Sequence, residues 1–202
     1  RTGCERVDNL PSRKTLQRRD VACGAVTTES YDKLVLAPGA ASIRPPLPGI
    51  DLPGIFELRT VPDARTIREW VQKGSPFLAG MHRYSGFQTV RPKTRAVVIG
   101  GGFIGIETAE NLIHRRFDVT LVEMGPQILA PMDPEMARIA EGYLQRHGLH
   151  LVLNDGVAGF EPGENGTVRV LTKSGAAHTA DLVILALGVR PDVTLARAAG
   201  LE

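Results

Sequence analysis

Residues 95 to 123 run Arg-Ala-Val-Val-Ile-Gly-Gly-Gly-Phe-Ile-Gly-Ile-Glu-Thr-Ala-Glu-Asn-Leu-Ile-His-Arg-Arg-Phe-Asp-Val-Thr-Leu-Val-Glu, an order that few backbone arrangements satisfy. Ala96 to Ile99 is a short β-branched run bounded by glycine, the pattern of a strand buried on both faces. Gly100, Gly102 and Gly105 follow with the G-x-G-x-x-G spacing. The first allows a tight turn, the second lets backbone approach a pyrophosphate, and the third lets a helix pack closely on the sheet. The helix is predicted to turn Ile106, Ala109, Leu112 and Ile113 inward, and a second strand, Val119 to Val122, ends at Glu123. Alone, the glycine spacing is weak evidence, because glycine-rich turns are common and many bind nothing. With a strand before it, a helix after it and an acid about 20 residues on, it predicts a dinucleotide site with the phosphates on the helix N-terminus. A carboxylate accepts hydrogen bonds from a ribose 2′-hydroxyl and repels a 2′-phosphate, so NAD(H) is expected in preference to NADP(H).

The chain has 202 residues, of which 43% are hydrophobic and 23% charged, with 22 glycines. That is enough for one substantial core and part of a second. A net charge of +2, with basic residues clustered only at Arg18-Arg19 and Arg115-Arg116, argues against a nucleic-acid partner. No apolar run reaches membrane-spanning length and no signal peptide opens the sequence, so a cytoplasmic protein is expected. Cys4 and Cys23 could be neighbours on a hairpin, but without a C-x-x-C partner they read better as free thiols. His82, His114, His147, His150 and His178 form no ligand pattern, and no metal site is predicted. The sequence starts at Arg1 in a strand-like stretch and reads as a fragment.

Before the glycine motif, strands are expected at Arg1 to Val7, Thr15 to Ala22 and Lys33 to Ala37, with polar turns at Asn9 to Ser12 and Cys23 to Thr28. Prolines from Arg44 to Gly54 exclude a helix or a central strand and mark a crossing segment between domains. Thr60 or Asp63 can cap a helix from about Pro62 to Lys73 with Ile67, Trp70 and Val71 on one face. Residues 74 to 94 read as a loop, with a covering role for Met81, Tyr84 and Phe87 as the alternative. Beyond Glu123, Asp133-Pro134-Glu135 starts a helix that runs to His147 and stops at Gly148. Leu149 to Leu153 is the third parallel strand. Val157 to Phe160 and Thr167 to Thr172, with a turn at Ser174-Gly175, form an antiparallel excursion, and Asp181 to Leu187 returns as a buried strand. The predicted class is α/β, a Rossmann-like three-layer β-β-α NAD(P)-binding domain between two pieces of another domain.

Several motifs in one order resemble the FAD-dependent pyridine nucleotide-disulfide oxidoreductases over the whole chain. Tyr31 to Ala40 is similar to the strand that passes the flavin dinucleotide, with proline where threonine is commoner. Leu58-Arg59-Thr60 with Asp63 and Ile67 is similar to the inter-domain segment, Gly100 to Glu107 to the NADH loop, and Leu185 to Pro191 with Leu195-Ala196 and Ala199-Gly200-Leu201 to the return toward the flavin domain. Gly188-Val189-Arg190-Pro191 and Asp133 to Ala137 most resemble the coenzyme A-disulfide reductase and NADH oxidase branch.

The resemblance implies residues 1–58 as partial FAD-binding domain, 59–187 as NADH-binding domain and 188–202 as a return segment. It implies that Gly100, Gly102, Phe103, Ile104 and Gly105 hold the pyrophosphate and Glu123 the adenosine ribose. Glu107 would lie near the nicotinamide carboxamide or, equally, be an ordinary acid favoured by the dipole in the first helical turn. Val157 would line the adenine pocket or serve the core. Gly188 would let backbone meet the nicotinamide. Ala37 and Gly39 would allow close approach of flavin, or simply end a strand. Neither Cys4 nor Cys23 matches the family's redox cysteine, which with the first flavin fingerprint precedes this region, while the second flavin motif and the dimerisation domain follow it. No catalytic residue is therefore assigned, and the fragment is expected to be inactive alone. The implied whole is a homodimeric flavoprotein passing hydride from NADH to FAD and on to a disulfide such as coenzyme A disulfide. The alternatives are an NADH oxidase, a ferredoxin- or nitrite-reductase-type flavoprotein, or a stand-alone NAD(H)-binding module without catalysis.

Overall fold

The computed structural model describes residues 4–10, 14–73 and 94–201, so the expected loop, Thr94 apart, lies outside the described residues. The chain forms two compact units, one of residues 1–41 and 190–202, the other of residues 42–189.

In the smaller unit, β1 (Cys4–Leu10), β2 (Thr15–Asp20) and β3 (Val26–Ser30) form an antiparallel sheet in that order. The turn expected to reach Thr28 ends earlier. The Asp20 carboxylate accepts the Ala22 and Cys23 amides, at 2.8 and 3.1 Å, and closes the turn so that Val26 to Ser30 can pair with β2. The strand expected at Lys33 to Ala37 does not form. That segment has no partner strand among the described residues, and Val35 is 86% exposed, so its apolar run has nothing to pack on. β4 (Ala40–Ser42) follows at the passage into the larger unit.

The larger unit is built on a parallel sheet. β5 (Ile55–Glu57) leads into helix α1 (Val61–Lys73), then come β6 (Arg95–Ile99), α2 (Phe103–His114), β7 (Asp118–Val122), α3 (Pro134–Arg146) and β8 (Leu149–Val152). An antiparallel excursion, β9 (Val157–Pro162), β10 (Val168–Thr172) and β11 (Ala177–Ala180), precedes β12 (Leu182–Leu185). The sheet order is β5-β12-β6-β7-β8, every pair parallel. Alternation along each strand makes the layers. Ala96, Val98, Leu182 and Ile184 join Ala109, Leu112 and Leu144 in a core on the helical side. Val97, Ile99, Val183 and Leu185 face the other way and join Phe160, Val168 and Val170 of the antiparallel sheet. A sheet covered on both faces needs strands that are apolar throughout, and β12 is buried at every position.

Capping explains where the helices start. Thr60 and Asp63 act together: the Asp63 carboxylate accepts the Thr60 amide at 2.6 Å, and the Asp63 amide reaches back to the Thr60 hydroxyl at 3.4 Å. The Trp70 indole donates to the Asp181 carbonyl at 3.0 Å and its ring meets Phe56 edge-on, which fixes α1 over the edge strand β5. Asp133 is the N-cap of α3 by position, with Pro134 behind it, although its side chain makes no capping hydrogen bond. Gly148 ends that helix at φ +95°, where a side chain is strained. At the far end β13 (Val189–Pro191) pairs with β4, and a short helix, α4 (Thr194–Ala198), follows.

Candidate functional site

The three motif glycines differ in what they do. Gly100 sits at φ +109°, and a Cβ there would run into the Ala186 carbonyl. At Gly105 a Cβ would run into the Gly100 carbonyl. Both are demanded by the turn and by the seating of α2 on the sheet. Gly102 is different. Its φ of −78° and ψ of −179° suit any residue, and nothing lies within 4 Å of where its Cβ would stand. Its missing side chain therefore serves open space rather than the fold.

Gly102 is also the N-cap of α2, and no side chain caps the helix there. The first-turn amides thus carry the positive end of the helix dipole toward that space. Phe103 and Ile104 stand beside it, 60% and 42% exposed.

Glu123 braces the glycine loop. Its Oε2 accepts the Gly101 amide and its Oε1 the Gly125 amide, each at 2.6 Å. These are short charge-assisted bonds. A carboxylate offers about four lone-pair sites, so acceptor capacity remains on both oxygens. Gly101 and Gly125 were not singled out in the sequence, although a glycine run and a glycine two places after the acid were visible. At Gly101 a Cβ would stand 3.1 Å from Ile128 and 3.2 Å from the Glu123 stem, so the loop packs tightly around the acid.

The other predicted residues divide. Glu107 is exposed and lies past the first turn of α2, which contains no acid, so the dipole reading of Glu107 loses its footing. Val157 is half-buried and packs on the core shared with the antiparallel sheet. Gly188 is exposed at φ +89°, its carbonyl accepting the Ile43 amide at 3.0 Å. Ala37 and Gly39 are exposed and belong to the smaller unit, whereas the glycine loop belongs to the larger.

Beyond Glu123, Met124 is 67% exposed and faces the β10–β11 turn. The Lys173 ammonium lies 4.0 Å from the Met124 sulfur, and the Lys173 amide donates to the Gly156 carbonyl at 2.7 Å. Asp155 pins the same turn, accepting the Ser174 hydroxyl at 2.6 Å and the Ser174 amide at 3.0 Å. The Ser174 hydroxyl, with Thr172 next in weight, holds the Asp155 carboxyl below its ordinary range. A separate cleft of about 340 Å³ opens between α1 and α2, lined by Leu58, Ile67, Val71, Arg68 and Arg115. It touches Ile104 and Glu107 and none of the other predicted positions. Among the described residues no group of three or more His, Cys, Asp or Glu could hold a metal ion, and no helix is long and apolar enough to cross a membrane.

A parallel sheet between helices and an antiparallel sheet, with a glycine turn at the end of its central strand, defines a Rossmann-like α/β fold. Within it, this chain belongs to the family described as pyridine nucleotide-disulphide oxidoreductase, whose profile matches residues 1–202. An NADH oxidase of Methanocaldococcus jannaschii is 37% identical over 174 residues, which are 86% of this chain and 35% of that protein. The crystal structure of reduced CoADR-RHD from Bacillus anthracis superimposes with a TM-score of 0.80 at 38% identity, over 98% of this chain and 32% of that one. An NADPH-bound water-forming NADPH oxidase, engineered from the Lactobacillus brevis NADH oxidase, gives a TM-score of 0.75 at 27% identity, over 96% of this chain and 39% of that one. The chain thus spans about a third of the length of these relatives.

Proposed function

We propose that residues 59–187, together with the edge strand Ile55–Glu57 that completes their sheet, are the NADH-binding domain of an FAD-dependent oxidoreductase, with the rest of 1–58 and 188–202 contributing to its flavin domain. The observation that carries this reading is the contrast among the glycines. Gly100 and Gly105 have no room for a Cβ, whereas Gly102 leaves space at an uncapped helix N-terminus, next to the Gly101 amide that Glu123 holds. An open glycine with no conformational need is what close approach of a pyrophosphate requires.

In this reading the amides after Gly102 receive the pyrophosphate, beside Phe103 and Ile104. Glu123 keeps the loop in place through Gly101 and Gly125 and accepts the adenosine ribose hydroxyls. Glu107 and Gly188 serve the nicotinamide end, and Val157 adjoins the adenine end. Ala37 and Gly39 serve the flavin. When bound, NADH supplies a hydride and FAD passes the electrons onward. The chain's own residues position the donor and select it.

The choice of donor has separate support. In the engineered NADPH oxidase a glycine is replaced by alanine. As many residues further on as separate Gly105 from Glu123, an aspartate is replaced by alanine and the next residue by arginine. With the replaced glycine matched to Gly105, that spacing makes Glu123 correspond to the aspartate replaced in the NADPH oxidase and Met124 to the residue replaced by arginine, which supports Glu123 as the donor-selecting acid.

The likeness to CoADR-RHD favours a disulfide such as coenzyme A disulfide as the final acceptor, and the M. jannaschii relative favours oxygen as the second reading. The whole protein is read as a cytoplasmic homodimer.

Calorimetric titration of the purified chain with NADH tests the site. Saturable binding with a Kd in about the micromolar to millimolar range ordinary for such substrates is the expected outcome. Absence of binding at saturating NADH overturns the proposal.

A further inference from the structure

We propose that Lys173 is a second determinant of cofactor choice: its ammonium stands at the 2′-position of the adenosine ribose and moderates the exclusion of NADPH that Glu123 imposes. This rests on the reading of the glycine loop and Glu123 as a dinucleotide site. The ammonium lies 4.0 Å from the Met124 sulfur, directly after the acid that ends β7. With the replaced glycine matched to Gly105, the spacing makes Met124 correspond to the residue that became arginine in the engineered enzyme, so Lys173 would bring a cation from another strand pair to the corresponding place.

The placement of Lys173 is built into the fold. Its amide donates to the Gly156 carbonyl at 2.7 Å. Its Cδ and Cε pass 3.3 Å from where a Gly156 Cβ would stand, as does the Met124 Cγ. A side chain at 156 would have to displace one of the two. Gly156 therefore lets the lysine stem lie against Met124. The turn that carries Lys173 is itself held by Asp155 through both the hydroxyl and the amide of Ser174.

Among the described residues no carboxylate pairs with Lys173. Asp155, the acid adjoining Gly156, is engaged by Ser174, and Glu123 is engaged by the Gly101 and Gly125 amides. An unpaired ammonium on a flexible stem is suited to a phosphate as a point charge. At the ribose 2′-position NADH has a hydroxyl where NADPH has a phosphate, so the influence of Lys173 is felt through NADPH.

The test compares NADH and NADPH affinities by calorimetry at low salt for the unaltered chain, Lys173→Met, Lys173→Arg and Glu123→Ala with and without Lys173→Met. Methionine keeps much of the stem and removes the charge. The ratio of NADPH to NADH affinity should fall about fivefold in Lys173→Met, the upper range for an exposed ion pair, and recover in Lys173→Arg. The fall should shrink as salt rises past the screening range. Glu123→Ala should raise the ratio, and adding Lys173→Met should take part of that rise away. A ratio unchanged by Lys173→Met in both backgrounds, with NADH still bound, overturns this inference and leaves the site reading intact. Failure of the unaltered chain to bind NADH overturns the site reading itself.

Discussion

At Gly102 the φ and ψ suit any residue and a Cβ would meet nothing within 4 Å, so Gly102→Val tests ligand space and little else. NADH affinity should fall steeply while far-ultraviolet circular dichroism holds and melting temperature drops only by the small cost of a poorer N-cap. Survival of NADH binding in that variant would reduce the loop to a structural turn. Gly105 gives the opposite expectation, because its Cβ would collide with the Gly100 carbonyl. Gly105→Val should cost about 1–3 kcal/mol of stability or more, the scale of forcing side chains into a packed site, as read in a urea titration. Glu123 combines both roles. NADH should bind better than NADPH by about 1–3 kcal/mol, the scale of stranding a charged hydrogen-bonding group. Glu123→Ala should narrow that gap and also loosen the loop, since the Gly101 and Gly125 amides lose their acceptor. Faster amide exchange at these two glycines would report the loosening separately from affinity.

Among the elements, two local devices hold the unit that carries the site. The reciprocal capping of Thr60 and Asp63 starts α1, so Thr60→Ala should cost about 1 kcal/mol in urea unfolding, the usual worth of such a cap. Asp155 and Ser174 join the loop after β8 to the turn before β11. Hydrogen bonds from Ser174 depress the folded-state pKa of Asp155, so the bond contributes stability above the unfolded pKa and loses it as pH falls through the folded one. Ser174→Ala should therefore be destabilising at neutral pH, and its deficit should shrink in acid below the ordinary aspartate range. Unfolding curves collected across that range show it directly. A deficit that stays constant with pH would assign the loss to the Thr172 contact with Ser174 instead.

For the whole molecule, the two units differ in how much they bury. No residue of 14–41 or 190–201 is buried, whereas β12 and nearly all of β6 lie in the core of the larger unit. Hydrogen exchange should show strong protection in β6, β7 and β12 and weak protection across β2 and β3. With Ala37 and Gly39 exposed in the less buried unit, the chain alone should hold no stoichiometric FAD and turn over no disulfide. Yellow flavin retained at one per chain after purification would refute that. The strand and helix of the glycine motif, the helix after Asp133, its end at Gly148 and the antiparallel excursion were all legible in the sequence. Each is specified by neighbours a few residues away: apolar period, a cap, a glycine that tolerates positive φ. The edge strand Ile55–Glu57 was not legible, because a short strand between prolines carries too little pattern and forms only by pairing with Val183 to Leu185. The expected strand at Lys33 to Ala37 failed for the converse reason, a good local pattern without a partner to bond. Sequence by itself thus determined the local elements and the acid at the end of β7, since these depend on backbone preferences written within a few residues. Only the tertiary structure decided which glycine is open, what Glu123 holds, and that Lys173 meets Met124 across 49 residues, because through-space contacts depend on how strands stack and leave no local signature.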